Sequence, residues 1–87
     1  MERITSLEHL KQEALYDEHK GISEFFILLN GGFRSSKKII YYEESKTFDV
    51  YNDIDDSWEE DLTEEELINN THIVIAIERN ALFKYDE

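Results

Sequence analysis

The chain has 87 residues, 40% hydrophobic and 13% aromatic, which is enough for one modest core and too short for two domains. It has no cysteine, which excludes disulfides, zinc–thiolate sites and thiol catalysis and suits a cytoplasmic protein. A net charge of −12 argues against direct binding to nucleic acid or anionic membranes, because both are polyanions. We therefore expect one small acidic domain over residues 1–87, without a membrane span.

The first predicted element is a helix in the segment TSLEHLKQEALY. Thr5 and Glu8 have the spacing of a capping box, in which each side chain accepts a hydrogen bond from the backbone N–H of the other residue. Apolar residues at helical spacing predict the buried face of this helix. They are Leu7, Leu10, Ala14 and Leu15.

Two strands joined by a tight turn are predicted next. The run EFFILL at 24–29 is short, bulky and continuously apolar, which is typical of a strand covered on both faces. Asn-Gly-Gly at 30–32 is a strong turn signal, because Asn and Gly accept a positive φ at little cost. The segment SKKIIYYE at 36–43 then reads as the second strand, on which Tyr41 and Tyr42 must point to opposite faces.

A third strand completes an antiparallel meander. The polar segment ESKT at 44–47 predicts a second turn, and FDVYNDI at 48–54 alternates between apolar and polar residues. Phe48, Val50 and Ile54 should face the core, while Asp53 should point away from it.

The second predicted helix begins at Thr63. Thr63 and Glu66 repeat the capping-box spacing, and Leu62 and Leu67 can form the hydrophobic contact that often accompanies it. Three consecutive glutamates would occupy the first turn, where the helix dipole favours negative charge.

The rest of the chain predicts more helix and a final strand. The segment 72–79 is rich in β-branched residues, so a strand is an alternative, but its apolar residues keep helical spacing and favour helix. Asn80 would follow the helix in the left-handed conformation, and ALFKY reads as a short strand. The predicted fold is α+β, with a three-stranded meander and a short C-terminal strand packed against two helices in the order α-β-β-β-α-β.

No arrangement of catalytic residues is visible in the sequence. His9, His19 and His72 are scattered, without a partner at a recognisable spacing. The segment GGFRSSKK has the composition of a phosphate-binding loop but lacks its Gly-Lys pair and leads into a strand rather than a helix. We therefore expect a protein that is not an enzyme and has no cofactor.

The net charge is concentrated in one segment. Residues 43–66 carry twelve acidic residues against one lysine, a charge of −11, whereas residues 21–42 carry three basic residues against one acidic residue. Within the run DIDDSWEEDLTEEE, at 53–66, nine residues are acidic and none is basic. This asymmetry is the most informative feature of the sequence.

A calcium loop is one alternative reading of the acidic run. Counted from Asp53, the ligand positions of an EF-hand loop carry side-chain oxygens. They fall on Asp53, Asp55, Ser57, Glu59, Asp61 and Glu64. However, Trp58 stands where the loop needs glycine, and a strand is predicted before it instead of a helix. We therefore expect no specific metal site.

Trp58 is a single large aromatic residue among acidic neighbours. The favoured expectation is that its ring folds back over one end of the core. The functional alternative is an exposed anchor within a charged rim, because tryptophan is enriched among interface hot spots.

The sequence favours a small acidic module that binds a basic protein surface through electrostatic steering and an interface centred on aromatic residues. The expected contact residues should form one acidic face. They are Asp53, Asp55, Asp56, Trp58, Glu59, Glu60, Asp61, Glu64 and Glu65. On an extended strand Asp53 and Asp55 would lie about 6.6 Å apart, comparable to neighbouring phosphates.

In length and charge, the chain resembles small phage-encoded anti-restriction and anti-CRISPR proteins, and acidic immunity proteins that neutralise nuclease toxins. That resemblance implies an inhibitor that mimics nucleic acid and occupies a nucleic-acid-binding channel. It covers length and charge only, and no sequence motif is shared. A second alternative is a structural domain in which the acidic run only increases solubility. The calcium-binding module is the third.

Overall fold

The computed structural model describes residues 1–85, except for the side chain of Asn70, and contains one antiparallel sheet with three helices. The strands are β1 Glu2–Arg3, β2 Glu24–Leu28, β3 Arg34–Tyr42, β4 Thr47–Asn52, β5 Ser57–Leu62 and β6 Leu82–Lys84. The helices are α1 Leu7–Glu13, α2 Glu64–Asn70 and α3 Ile73–Glu78. Across the sheet the strands run in the order β1-β6-β2-β3-β4-β5. The predicted α+β class is confirmed, with two more strands and one more helix than expected.

The meander is formed by β2, β3 and β4, as predicted. Gly31 and Gly32 adopt φ values of 83° and 84° in the turn Asn30–Gly32, a region that residues with a Cβ rarely adopt. Phe48 and Val50 are buried, but Ile54 is 78% exposed. The prediction for Ile54 was wrong because β4 ends at Asn52 and residues 53–56 form a turn.

Strand β5 was not predicted, because its sequence SWEEDL resembles a loop. It lies at the edge of the sheet and, within residues 1–85, pairs only with β4, with Tyr51 opposite Trp58. Leu62 is its buried residue, and the preceding five positions are exposed to solvent. An edge strand can expose nearly all of its side chains, so its sequence need not alternate.

Helix α1 begins one residue later than predicted. The side chain of Ser6 accepts a hydrogen bond from the backbone N–H of His9 at 3.0 Å, so the cap is Ser6 and not Thr5. The N–H of Thr5 donates to Nδ1 of His9 at 3.1 Å, where the predicted box required Glu8. Leu10 and Ala14 are buried as expected.

Leu15 does not join the core, because α1 ends before it. The chain becomes extended there and pairs with the second half of β3, which β2 does not reach. The N–H of Tyr16 donates to the carbonyl of Tyr41 at 2.8 Å, and the N–H of Tyr41 donates to the carbonyl of Ala14 at 2.8 Å. Leu15 is left 45% exposed.

The capping box at the start of α2 is confirmed. The N–H of Glu66 donates to Oγ1 of Thr63 at 3.2 Å, and the N–H of Thr63 donates to Oε1 of Glu66 at 3.3 Å. Leu62 and Leu67 are both buried on either side of the cap. This box fixes the point at which the chain leaves the edge strand and enters the helix.

Replacing Thr63 with Ala should lower the free energy of unfolding by about 0.5–2 kcal/mol, because the backbone N–H of Glu66 loses its acceptor and the Glu66 carboxylate loses the hydroxyl that helps to hold it. Thr63→Ser keeps the hydroxyl and is the matched control, which should stay close to the wild type. Urea denaturation of the three proteins measures the difference. Equal stability of the alanine and serine variants would contradict this role of the cap.

The helical prediction for residues 72–79 is confirmed by α3, although α2 and α3 are separate helices. Thr71 is extended and interrupts them, and its hydroxyl donates to the carbonyl of Leu67 at 2.6 Å while accepting from the N–H of Ile73 at 3.3 Å. Asn80 has a φ of 58°, the predicted left-handed conformation. No helix in the described part of the chain is long and apolar enough to cross a membrane.

The two faces of the sheet differ. One face is covered by the helices and carries the main core, which includes Phe25, Ile39, Phe48 and Leu82. On the opposite face, which we call the outer face, lie residues at alternating positions of the same strands. Phe26 on this face is 1% exposed, under Phe83, Tyr85 and Arg34.

Candidate protein-binding site

The acidic residues predicted to bind a partner lie in sequence order along one edge of the sheet. Asp53, Asp55 and Asp56 are in the turn before β5, and Glu64 and Glu65 are in the first turn of α2 after it. The strand between them carries Glu59, Glu60 and Asp61 and spans about 20 Å. All eight of these acidic residues are exposed. They do not form the single face that was expected, because successive strand residues point to opposite sides: Glu59 pairs with Val50 of the core face, and Glu60 lines the outer face. We call residues 53–65 the acidic edge.

The turn carboxylates are engaged in holding the turn. Asp53 accepts a hydrogen bond from the N–H of Ser36 at 3.2 Å and lies 3.8 Å from Nζ of Lys37. Asp55 accepts from the side-chain amide of Asn52 at 3.3 Å. The expected strand spacing of Asp53 and Asp55 was wrong, because both residues belong to the turn and not to an extended strand.

The acidic-edge carboxylates on β5 and in the first turn of α2 have fewer hydrogen-bond and ion-pair partners than those of the turn. Glu59, Glu60 and Glu65 form no ion pair with any residue in the range 1–85. Asp61 has a φ of 56°, and its N–H donates to Asp49 at 3.0 Å where the register between β4 and β5 shifts. Glu64 lies 3.5 Å from Nζ of Lys11. These residues present negative charge at a strand whose outward backbone edge pairs with no other strand of the described residues.

Trp58 lies on the outer face and does not cover the core. Its ring packs against the ring of Tyr51, with centroids 5.4 Å apart, and the residue is 39% exposed. The ammonium of Lys38 lies 5.4 Å from the Tyr51 ring on the same face. The favoured expectation was wrong because β5 turns Trp58 away from the helices, opposite Tyr51. Trp58 is thus an exposed aromatic residue beside the acidic edge.

The hydroxyl of Tyr51 donates a hydrogen bond to Asp56, and this bond raises the pKa of Tyr51 above its ordinary value; partial burial adds to the effect. Because the pKa of Tyr51 is higher in the folded than in the unfolded chain, the bond to Asp56 stabilises the fold at neutral pH. This contribution is lost as the pH rises through the folded pKa.

We expect Asp56→Asn to lower the pKa of Tyr51 toward its unfolded value and so to reduce the alkaline loss of stability that Tyr51 contributes. Titration of the tyrosine ring by NMR measures the pKa directly, with Asp55→Asn as the control variant. If both variants leave Tyr51 titrating as in the wild type, the hydrogen bond does not exist in solution.

The six oxygen ligands of the calcium alternative do not surround a common point. Ser57, Glu59 and Asp61 lie on the extended strand β5, and Glu64 lies beyond it in a helix. An EF-hand loop instead wraps around one ion, with glycine at the sharp turn. The geometry of the segment therefore disfavours this alternative.

Calcium should bind to the protein with a dissociation constant no tighter than about 10 μM, which is the weak end of sensor sites. Isothermal titration calorimetry at physiological ionic strength measures it, and magnesium serves as the control for nonspecific charge neutralisation. A tighter, calcium-selective site that is lost in Glu59→Gln would contradict the prediction.

One other group of potential metal ligands exists within residues 1–85. Ligand atoms of Glu2, His9 and Glu13 lie within 4.8 Å of one another. Nε2 of His9 lies 2.7 Å from Glu2, while Nδ1 accepts from the N–H of Thr5. Nζ of Lys84 lies 3.3 Å from Glu13. Both nitrogens of the imidazole already have hydrogen-bond partners. Together with the ion pair at Lys84, these contacts connect β1, α1 and β6.

A cleft on the outer face was not predicted from the sequence. It has a volume of about 670 Å³ and lies beside the turn between β3 and β4. Two tyrosines, five acidic residues, a leucine and a serine line it: Tyr16, Tyr42, Glu43, Glu44, Asp49, Glu60, Asp61, Leu15 and Ser45. No basic residue is among them. Alternation along β3 was a partial signal for it, because Tyr42 had to leave the core if Tyr41 entered it.

The rings of Tyr16 and Tyr42 pack at a centroid distance of 5.3 Å. The Tyr42 hydroxyl donates to Asp49 at 3.1 Å, and burial together with this bond raises the pKa of Tyr42. Asp49 also accepts from the N–H of Asp61, so both of its oxygens are held. Tyr16 itself is 55% exposed. The cleft therefore combines an exposed aromatic ring with fixed negative charge.

The chain matches no family model, and neither curated proteins nor solved structures show significant similarity to it.

Proposed function

We propose that this protein is a small acidic binding module that docks through the acidic edge onto a basic protein surface. One observation carries the proposal: the densest acidic run of the sequence forms an exposed edge strand flanked by an acidic turn and an acidic helix start. A strand at the edge of a sheet is accessible to another molecule along its whole length. Carboxylates along such an edge complement lysine and arginine side chains on a partner.

The most specific form of the proposal is an inhibitor that occupies a channel which otherwise holds nucleic acid. Such channels are lined by Lys and Arg because phosphate contacts dominate their affinity. A strand about 20 Å long with carboxylates on both faces can contact several of those basic side chains at once. This form rests on charge and shape and requires no catalytic group in the module.

Trp58 gives the proposed interface an apolar centre. Trp58 follows the acidic turn in the chain and its ring is already supported by Tyr51, so little conformational entropy is lost when a partner covers it. Aromatic residues within a charged rim are the typical composition of binding hot spots.

Affinity capture from the native host, followed by mass spectrometry, tests the proposal. The bait is the whole chain, and the control bait carries lysine at Asp55, Glu59 and Glu65. We expect a basic protein that is retained by the wild type at low salt, released as salt rises, and lost with the control bait. Retention by both baits alike would favour the alternative in which the acidic run only increases solubility.

A further inference from the structure

We infer that the cleft between Tyr16, Tyr42 and Glu60 receives an arginine side chain of the basic partner. This inference rests on the proposed function and names the position on the surface where one partner residue is bound. The observation that supports it is an aromatic cleft of about 670 Å³ whose described lining residues include five acidic side chains and no basic one.

The cleft has an apolar base for a flat cation. Tyr16 is 55% exposed and Leu15 is 45% exposed, although both are anchored through the backbone pairing with β3. The Tyr42 ring supports the Tyr16 ring from behind at 5.3 Å. A guanidinium can stack on the remaining face of Tyr16, and arginine is the side chain whose planar, weakly hydrated head group favours such stacking.

The acidic wall supplies the charge complementarity. Asp49 is fixed by two donors, the Tyr42 hydroxyl and the N–H of Asp61. Glu60 has no ion-pair partner in the described range and lies on the same outer face, on the neighbouring strand. Carboxylates at the side of a stacked guanidinium can accept its N–H groups in pairs, which an ammonium cannot match.

The cleft continues the acidic edge. Glu60 and Asp61 belong to both surfaces, so a basic partner segment lying along β5 reaches the cleft at the end of the strand. Trp58 stands on the same face at the start of that strand, about 7 Å away from Glu60 along the backbone. The partner thus places its arginine in the cleft at the end of β5 and covers Trp58 at the centre of the interface.

Titration followed by two-dimensional NMR tests the inference with a capped tripeptide that has one arginine between two glycines. Matched peptides contain lysine or the neutral isostere citrulline. We expect shifts at Tyr16, Tyr42 and Glu60 with arginine, smaller shifts with lysine, and none with citrulline. Equal shifts with citrulline, or shifts confined to residues 53–58, would overturn the inference.

Variants make the test specific. Tyr16→Ala should weaken arginine-peptide binding about two- to fivefold, the effect of one exposed cation–π contact, while Tyr16→Phe should retain it. Glu60→Gln should weaken binding, and Glu65→Gln, with the same charge change outside the cleft, should not. If Tyr16→Ala is unfolded, the comparison of Glu60→Gln with Glu65→Gln tests the inference by itself. Equal binding by the two glutamine variants would rule out the cleft as the site.

The outcome for the cleft is separable from that for the proposed function. If the arginine peptide leaves the cleft unperturbed but the captured partner still requires the acidic edge, this inference alone fails. If the cleft binds arginine while no salt-sensitive basic partner is captured, the cleft is an arginine site and the proposed function fails.

Discussion

Replacing Asp55, Glu59 and Glu65 together with lysine should slow association with the captured partner by about tenfold or more at low ionic strength. These residues span the length of the acidic edge, from the turn through β5 to α2, and none lines the cleft. Charges outside the contact centre act mainly on the encounter, so dissociation should change less than association. Surface plasmon resonance at two salt concentrations separates the two rates.

The control for this variant is a triple lysine replacement of Glu18, Glu24 and Glu78, which changes the net charge by the same amount away from the acidic edge. It should slow association much less, because opposing charges more than about 10 Å from the contact are screened by salt. Trp58→Ala should instead accelerate dissociation, as expected of an anchor covered in the complex. Equal slowing by the two triple variants would mean that total charge, rather than the acidic edge, guides association.

Phe26→Ala should lower the free energy of unfolding by about 3–5 kcal/mol, as for other buried phenylalanines. Phe26 points away from the helices, yet it is 1% exposed. Phe83 stacks on it at 5.2 Å, Tyr85 lies 4.8 Å away, and the guanidinium of Arg34 lies 4.6 Å from the ring centroid. The outer face thus has an aromatic cluster of its own.

Phe33→Ala is the matched control, because the same ring is 73% exposed in the loop before β3. It should change stability by no more than about 0.5 kcal/mol. Chemical denaturation measures both variants, and a domain with a total stability of about 5–15 kcal/mol should show the first one clearly. A loss below about 1 kcal/mol for Phe26→Ala would mean that the aromatic cover is open in solution.

The parts of the fold that the sequence predicted are those in which local chemistry agrees with the tertiary structure. The Thr63 box, the glycines at 31 and 32, the left-handed Asn80 and the apolar strand at 24–28 each depend on neighbouring residues alone. The end of α1 was harder to place, because the pairing of Ala14–Tyr16 with β3 is a contact between distant segments.

The site was predicted only in part, for a related reason. The acidic residues 53–65 were identified, but their secondary structure was not, because a solvent-exposed edge strand shows no alternation of apolar and polar residues. The face occupied by Trp58 followed from its register with Tyr51, and the cleft from the packing of Tyr16 across Tyr42. Neither the register of two strands nor the packing of residues far apart in the sequence can be read from short spacings along the chain.

The exposed edge of β5 also affects how copies of the protein interact with one another. The backbone of this six-residue strand could serve as a template on which a second copy adds its own β5 and begins a growing aggregate. Two such strands would bring Glu59, Glu60 and Asp61 of both copies against one another, and the bulge at Asp61 would interrupt their ladder. The charge that we propose attracts a basic partner therefore also keeps identical chains apart, so this exposed strand can stay uncovered without aggregating.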